Sequence, residues 1–338
     1  MEEKKTYKDP FLVVLEGADA TGKHTQSRRL LQSFETGCPK NGPMPYIASF
    51  PVYESPSSYF VTNYLNNAYD HIYQDNKPIN VRLICDFYAM DHFDGWFNRN
   101  IPDNDHYTFD QAYQDCHPII LDRSWISNMI YQPILLFTRV LHKDTDSHTD
   151  IEQLIVNAFE YSIHNNFYNM KTYVKLPYSK FTRLDLSEIL LRYKSKLKVD
   201  NPDINFDTNY IIGSFYNSLR VLVLGYLVET DFEKLRLPIP DRIINLGFRD
   251  YSLGRQLLEN RHNKKDKYET NYTYLALINY LSPFIFNYLS TLSYFSNCKI
   301  YQVYCDRLDL DTKQFTIATI DEVTHAIVDA LYHKETKK

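Results

Sequence analysis

A chain of 338 residues, 44% hydrophobic and 23% charged, carries enough apolar material for one large α/β domain or two small ones. Its 37 basic and 42 acidic residues leave a net charge of -5, which excludes a general nucleic-acid binder because no basic excess stands ready to neutralise a phosphate backbone. Five cysteines, Cys38, Cys85, Cys116, Cys298 and Cys305, are odd in number and lack metal-ligand spacing, so they read as reduced thiols of a cytoplasmic protein. The longest apolar run, Val221 to Val228, is too short to cross a bilayer, and the polar start at Met1 carries no signal-peptide segment. No membrane association is expected.

The first predicted strand, Phe11 to Glu16, runs into Gly17-Ala-Asp-Ala-Thr-Gly-Lys23, a G-x-x-x-x-G-K loop followed by a helix pattern from Thr25 to Phe34. Backbone N–H groups of such a turn converge on one anion only where side chains leave the approach open. The helix adds the positive end of its dipole and Lys23 a mobile cation, so residues Gly17, Ala18, Asp19, Ala20, Thr21, Gly22, Lys23, His24 and Thr25 are expected to bind the phosphates of ATP. Where a Ser or Thr hydroxyl would follow the lysine to ligate Mg²⁺, this chain has His24, a poor ligand for a hard cation. The metal is then expected on phosphate oxygens, water and the carboxylate of Asp122, while Thr25 keeps a hydroxyl for an α-phosphate.

Further apolar runs at Tyr46 to Phe50, Pro118 to Leu121, Arg242 to Leu246 and Lys299 to Tyr304 alternate with helix-period segments at Asn80 to Phe97, Asp150 to Ser162, Tyr210 to Glu233, Tyr272 to Ser293 and Ile320 to His333. This alternation predicts a three-layer α/β domain with about five parallel strands flanked by helices and ligands at the carboxyl ends of the strands. The third run ends in Asp122 and Arg123, a carboxylate for the metal-nucleotide beside a guanidinium fork matched to an acceptor phosphate. Helical turns after it would put Ser127, Asn128 and Tyr131 on one face next to Arg123. Between about residues 139 and 208 the pattern dissolves into Lys- and Tyr-rich sequence with one short helix and strands near Thr172 to Leu176, read as a mostly helical insertion in a single domain. A basic cluster, Arg255 and then Arg261 to Glu269 with Lys264, Lys265 and Lys267, follows the fourth run.

Leu15-Glu-Gly-x-Asp-x-x-Gly-Lys-x-Thr-Gln-Ser27, Phe50-Pro51, Asp122-Arg-x-x-x-Ser-Asn-x-x-Tyr-Gln132, Pro238-x-Pro-Asp241 and Asp266-Lys-Tyr-Glu269 occur in the order seen in thymidylate kinases, which the chain resembles at both ends and not in the insertion. The resemblance implies a P-loop kinase fold, transfer of the ATP γ-phosphate to dTMP, Mg²⁺ as cofactor and a homodimer. It implies that Asp19 approaches the 3′-hydroxyl and the metal, that Phe50 and Tyr53 line the monophosphate pocket, and that Arg123 binds the acceptor phosphate. By the same resemblance Asn128 contacts the base, with Ser127 and Gln132 in the pocket, and Tyr131 crowds the 2′ position. Tyr88 matches the ring that stacks on thymine, and His92 stands where the family has a base-reading Arg. The lid, about residues 255–270, would supply the catalytic arginine that the P-loop lacks, with Arg261 the candidate. Deoxynucleoside kinases are similar at Asp122-Arg-Ser124, and family-2 polyphosphate kinases at G-x-D-A-x-G-K and at Asp122 to Trp125. A nucleotide-binding interaction protein without catalysis is the reading of another class, motivated by His24, His92 and Ser124.

Overall fold

A computed structural model describes residues 11–37, 43–53, 55–69, 72, 78–102, 104–144, 150–165, 181–200, 206–260, 269–309, 311–312 and 314–332. The expected lid residues Arg261, Lys264, Lys265 and Lys267 and the expected strands at Thr172 to Leu176 lie outside them.

The five apolar runs form one parallel sheet. In chain order the first elements are β1 (Phe11–Gly17), α1 (Lys23–Gly37), β2 (Tyr46–Ser49), α2 (Tyr59–Leu65), α3 (Val81–Phe97), a hairpin of β3 (Asn100–Ile101) and β4 (Asn104–Thr108), α4 (Phe109–Gln114), β5 (Pro118–Asp122) and α5 (Ile126–Asp144). There follow α6 (Ile151–His164), α7 (Arg183–Asp200), α8 (Thr208–Leu219), β6 (Arg242–Gly247), α9 (Ser252–Glu259), α10 (Tyr272–Ser290), β7 (Lys299–Tyr304), a second small pair of β8 (Asp306–Leu308) and β9 (Phe315–Ile317), and α11 (Ile320–Tyr332). The sheet order is β2-β5-β1-β6-β7. Leu12, Val13, Val14 and Leu15 of the central strand are wholly buried, as a strand covered on both faces requires, each side chain contributing roughly 1.5–3 kcal/mol.

Short polar residues start several helices. Asn80 accepts from the Arg82 N–H at 2.9 Å ahead of α3, Asp150 from Gln153 at 3.0 Å ahead of α6, and Thr108 and Gln111 close a reciprocal capping box on α4. Helices α1 and α11 meet through Phe34 and Tyr332, whose rings lie 6.2 Å apart. On α10, Ser282 accepts from Asn245 of β6 at 3.0 Å. Phe159 of α6 stacks on Tyr280 of α10 at 5.1 Å, and Phe181 meets Phe284 at 5.6 Å, so the segment expected as an insertion packs directly on a core helix. Helix α7 was not foreseen; its Leu186, Ile189, Leu190 and Tyr193 are buried at helical spacing within a Lys-rich stretch.

The expectation that the Val221 to Val228 run is too short to span a bilayer needs correction. It lies within a continuous helix, α8 extended by wider π turns over Arg220–Lys234, and the 27 residues Thr208–Lys234 are long and apolar enough to cross one, with mean hydropathy 1.5. Half of that apolar window is nevertheless buried inside the protein, against α3 and α5.

Asp231 of this helix is fully buried, and neither carboxyl oxygen has a hydrogen-bond partner among the described residues. Burial, then the nearby Asp86, pushes its carboxyl up to about 8. A carboxyl raised in the folded state holds a proton that the unfolded chain releases near its ordinary value, so its contribution is full at low pH and is lost as pH rises through about 8, by up to about 1.4 kcal/mol per pH unit. Asp231→Asn should therefore gain thermal stability over the natural protein, with the gain growing toward pH 8. A melting-temperature difference that does not change with pH would contradict this.

Candidate active site

The site begins where β1 ends. Gly17 sits at φ +135°, and a Cβ there would lie 2.0 Å from the Leu246 carbonyl oxygen of β6, so only glycine lets the chain leave the sheet at this point. Gly22 at φ +80° completes the turn into α1. Lys23 is buried and donates to the Gly17 and Ala18 carbonyls at 2.9 and 2.7 Å, with Asp19 at 3.8 Å, so its ammonium is fixed inside the loop. Burial, then repulsion by Arg123, lowers its amine to about 8 against the attraction of Asp19, Asp122 and Glu16. Thr25 is exposed at the N-terminus of α1, where the helix dipole favours an anion.

Parallel register sets Leu15 of β1 beside Asp122 of β5 and Ser49 of β2 beside the same residue, so the glycine loop and the Asp122–Arg123 turn emerge side by side. Beneath them Glu16 is fully buried. Its Oε1 accepts from the Ser124 N–H and hydroxyl, both at 3.0 Å, and its Oε2 from the Ser127 hydroxyl at 2.7 Å. Burial raises this carboxyl to about 7, opposed by Ser127, Arg123, Lys23 and Ser124. The role of Glu16 was not read from sequence, although a charge one residue before the end of an otherwise apolar strand was a signal that could have found it.

Arg123 takes φ +65°, its N–H bonds to the Leu15 carbonyl at 3.1 Å, and its guanidinium pairs with Asp19. The Tyr131 hydroxyl accepts from Arg123 at 3.3 Å and donates to the Gly17 carbonyl at 3.2 Å, with the guanidinium 5.6 Å from the ring centre. Opposite, His24 lies 3.2 Å through Nδ1 from Asp122 Oδ2 and is two-thirds exposed.

On the far side of Arg123 a cleft open to solvent is lined by every residue expected at the acceptor: Phe50, Tyr53, Tyr88, His92, Arg123, Ser127, Asn128, Tyr131 and Gln132. Asp19, Pro51, Leu65 and Ser124 complete it. These positions come from the P-loop, the turn after β2, α2, α3 and α5, and no local sequence feature joins them. Asp91 of α3 accepts from the Val52 N–H at 3.0 Å and fixes the Phe50–Pro51 turn against α3. His92 is buried between Phe50, Tyr88 and Trp125, its Nδ1 has no partner among the described residues, and burial lowers it to about 3, so it faces the cleft neutral. Gln132 Oε1 is likewise buried without a partner, while Asn128 reaches the Cys85 carbonyl at 3.4 Å. Neutral imidazole and amide groups in this wall can read hydrogen bonds and cannot supply charge.

Of the remaining motif residues, Pro238 and Asp241 act in the scaffold, and Asp266 to Tyr268 lie outside the described residues. Asp241 accepts from the Leu12 N–H at 2.8 Å and Pro238 from the Trp125 indole at 3.1 Å, which anchors the entry to β6 against β1 and the Arg123 turn. Arg255 is paired with Glu259 at 2.8 Å and lies over Tyr272. No protein-family model matches this chain, and no curated protein matches it.

The amine of Lys23 is a cation below about 8 and neutral above it. Affinity for a nucleoside triphosphate, measured by calorimetry, should fall as pH rises through that value. An affinity that stays flat across it would show that Lys23 does not carry the phosphate attraction.

Proposed function

We propose that this protein is a nucleoside monophosphate kinase, transferring the γ-phosphoryl group of ATP to dTMP or a related deoxypyrimidine monophosphate. The observation that carries this reading is the position of Arg123, beside a glycine loop with a buried lysine and in the wall of a cleft that collects all nine residues expected at the acceptor. An oxygen of the acceptor phosphate attacks the γ-phosphorus, the bond to the β-bridging oxygen breaks, and ADP leaves with the electron pair. The acceptor is already an anion near neutral pH, so no general base is required. Lys23 and the loop amides hold the donor phosphates, and Arg123 is shared between Asp19 and the acceptor, positioning more than binding. Tyr88 offers a ring for the base, with His92, Asn128 and Gln132 as its polar readers. Mg²⁺ is proposed to accompany ATP through phosphate oxygens and water, with Asp122 as its nearest carboxylate; the nitrogen of His24 does not suit that ion.

ADP formation from ATP and Mg²⁺ should be selective for dTMP in a panel with dUMP, dCMP, UMP, thymidine, deoxycytidine and polyphosphate. Turnover confined to nucleosides or to polyphosphate would replace this reading with one of those kinase classes, and nucleotide binding without turnover would make the protein a binding module. Arg123→Ala should lower kcat by about 10³-fold or more, and near-normal turnover in that variant would remove Arg123 from its role.

We further propose a cytoplasmic setting, supported by the free thiols of Cys85, Cys298 and Cys305, and a homodimer. Leu83, Met90 and Phe93 leave an exposed apolar stripe along α3, beside Phe60 stacked on Phe87. Met90→Glu should shift the sedimenting species to a monomer. A natural protein that sediments as a monomer at every concentration would overturn the dimer.

A further inference from the structure

We propose that His24 and Asp122 form a nitrogen–oxygen ligand pair that makes the nucleotide site select a borderline first-row divalent cation, of the Fe²⁺ or Co²⁺ class, over Mg²⁺. The inference rests on the proposed nucleotide site. His24 occupies the first turn of α1 directly after the loop lysine, and Asp122 the carboxyl end of β5 in register with β1. These elements bring Nδ1 within 3.2 Å of Asp122 Oδ2. Two adjacent ligands of an octahedral ion, each about 2.1 Å from it, stand about 3.0 Å apart, so the pair is spaced to hold one cation in common.

The surroundings fit. Asp122 is nearly buried, and its backbone carbonyl is bonded to the Phe50 N–H and the Ser49 hydroxyl, both at 3.2 Å, which fixes the residue at the carboxyl end of β5. His24 is two-thirds exposed, so an ion and its remaining oxygen ligands, triphosphate and water, have room on the open side. Among the described residues no group of three or more His, Cys, Asp or Glu side chains could hold a metal, here or elsewhere, so the pair binds its ion together with the oxygens of the nucleotide and water. In one tautomer Nδ1–H donates to the carboxylate; in the other the Nδ1 lone pair is presented to a cation that the carboxylate shares. Imidazole nitrogen raises affinity along the first transition row and adds little for Mg²⁺, which favours oxygen.

The test uses the full chain with Co²⁺·ATP as probe. Proton NMR should show a far-shifted, exchangeable imidazole N–H signal from a ring bound directly to the paramagnetic ion, absent from His24→Ser. Calorimetry should show that the ratio of affinities for Co²⁺·ATP and Mg²⁺·ATP falls on the order of tenfold in His24→Ser. Binding of Co²⁺·ATP without the shifted signal, or an unchanged ratio in the variant, would overturn the ligand pair while leaving the nucleotide site standing. Failure of ATP to bind with either metal would overturn the site itself and the pair with it.

Discussion

Three hydrogen bonds onto the buried carboxylate of Glu16 tie the end of β1 to the turn after β5, and the geometry of the site follows from that join. They fix Ser124 and Ser127, and with them the strained backbone of Arg123 between them and the sheet. A carboxylate without exposure is tolerated only with its lone pairs satisfied, and here two hydroxyls and one amide satisfy it with two cations nearby. Because β1 and β5 are hydrogen-bonded neighbours in parallel register, the glycine loop and the Arg123 turn emerge at the same height. A slip of one residue would carry Glu16 to the other face of the sheet and separate them.

Charge is unevenly divided across this join. On the loop side Lys23, Asp19 and Asp122 converge with Arg123 as a compact set in which every cation is held by an anion or a carbonyl. On the cleft side the walls beyond Arg123 are aromatic and amide, with a histidine that burial keeps neutral. Such a division suits a ligand with a phosphate at one end and a flat, uncharged ring at the other. Tyr131 belongs to both sides, since its hydroxyl links the Gly17 carbonyl to the guanidinium. Its place as a support for Arg123 is additional to the sugar contact that sequence resemblance suggested.

All five strands of the main sheet were legible in the sequence, because strands buried on both faces must be short continuous apolar runs bounded by loops. The glycine loop was legible because its two glycines and lysine fall within one short stretch, Gly17 to Lys23, directly after an apolar run, and the Asp122–Arg123 turn because it ends such a run. Helix α7 was hidden because the exposed Leu184, Leu191 and Val199 blur the stripe of its buried positions, and the π turns after α8 are invisible to a period-3.6 reading. The small β3–β4 hairpin is too short to leave a pattern. Glu16 and the pairing of Arg123 with Asp19 depend on contacts across more than a hundred residues, which spacing along the chain does not encode. The convergence of Phe50, Tyr88, His92 and Gln132 on one cleft is likewise a property of the fold.

We propose that donor and acceptor sites flank a single arginine, Arg123, closely enough for one molecule to span both. This arrangement is tested most directly by calorimetric titration with a bisubstrate nucleotide, adenosine and thymidine joined 5′ to 5′ through a pentaphosphate. The account predicts one molecule bound per chain, with an affinity well above that of ATP or dTMP alone and loss of that advantage in Arg123→Ala. Binding no tighter than the better of the two separate nucleotides would contradict it, since the two halves would then occupy sites that one molecule cannot bridge.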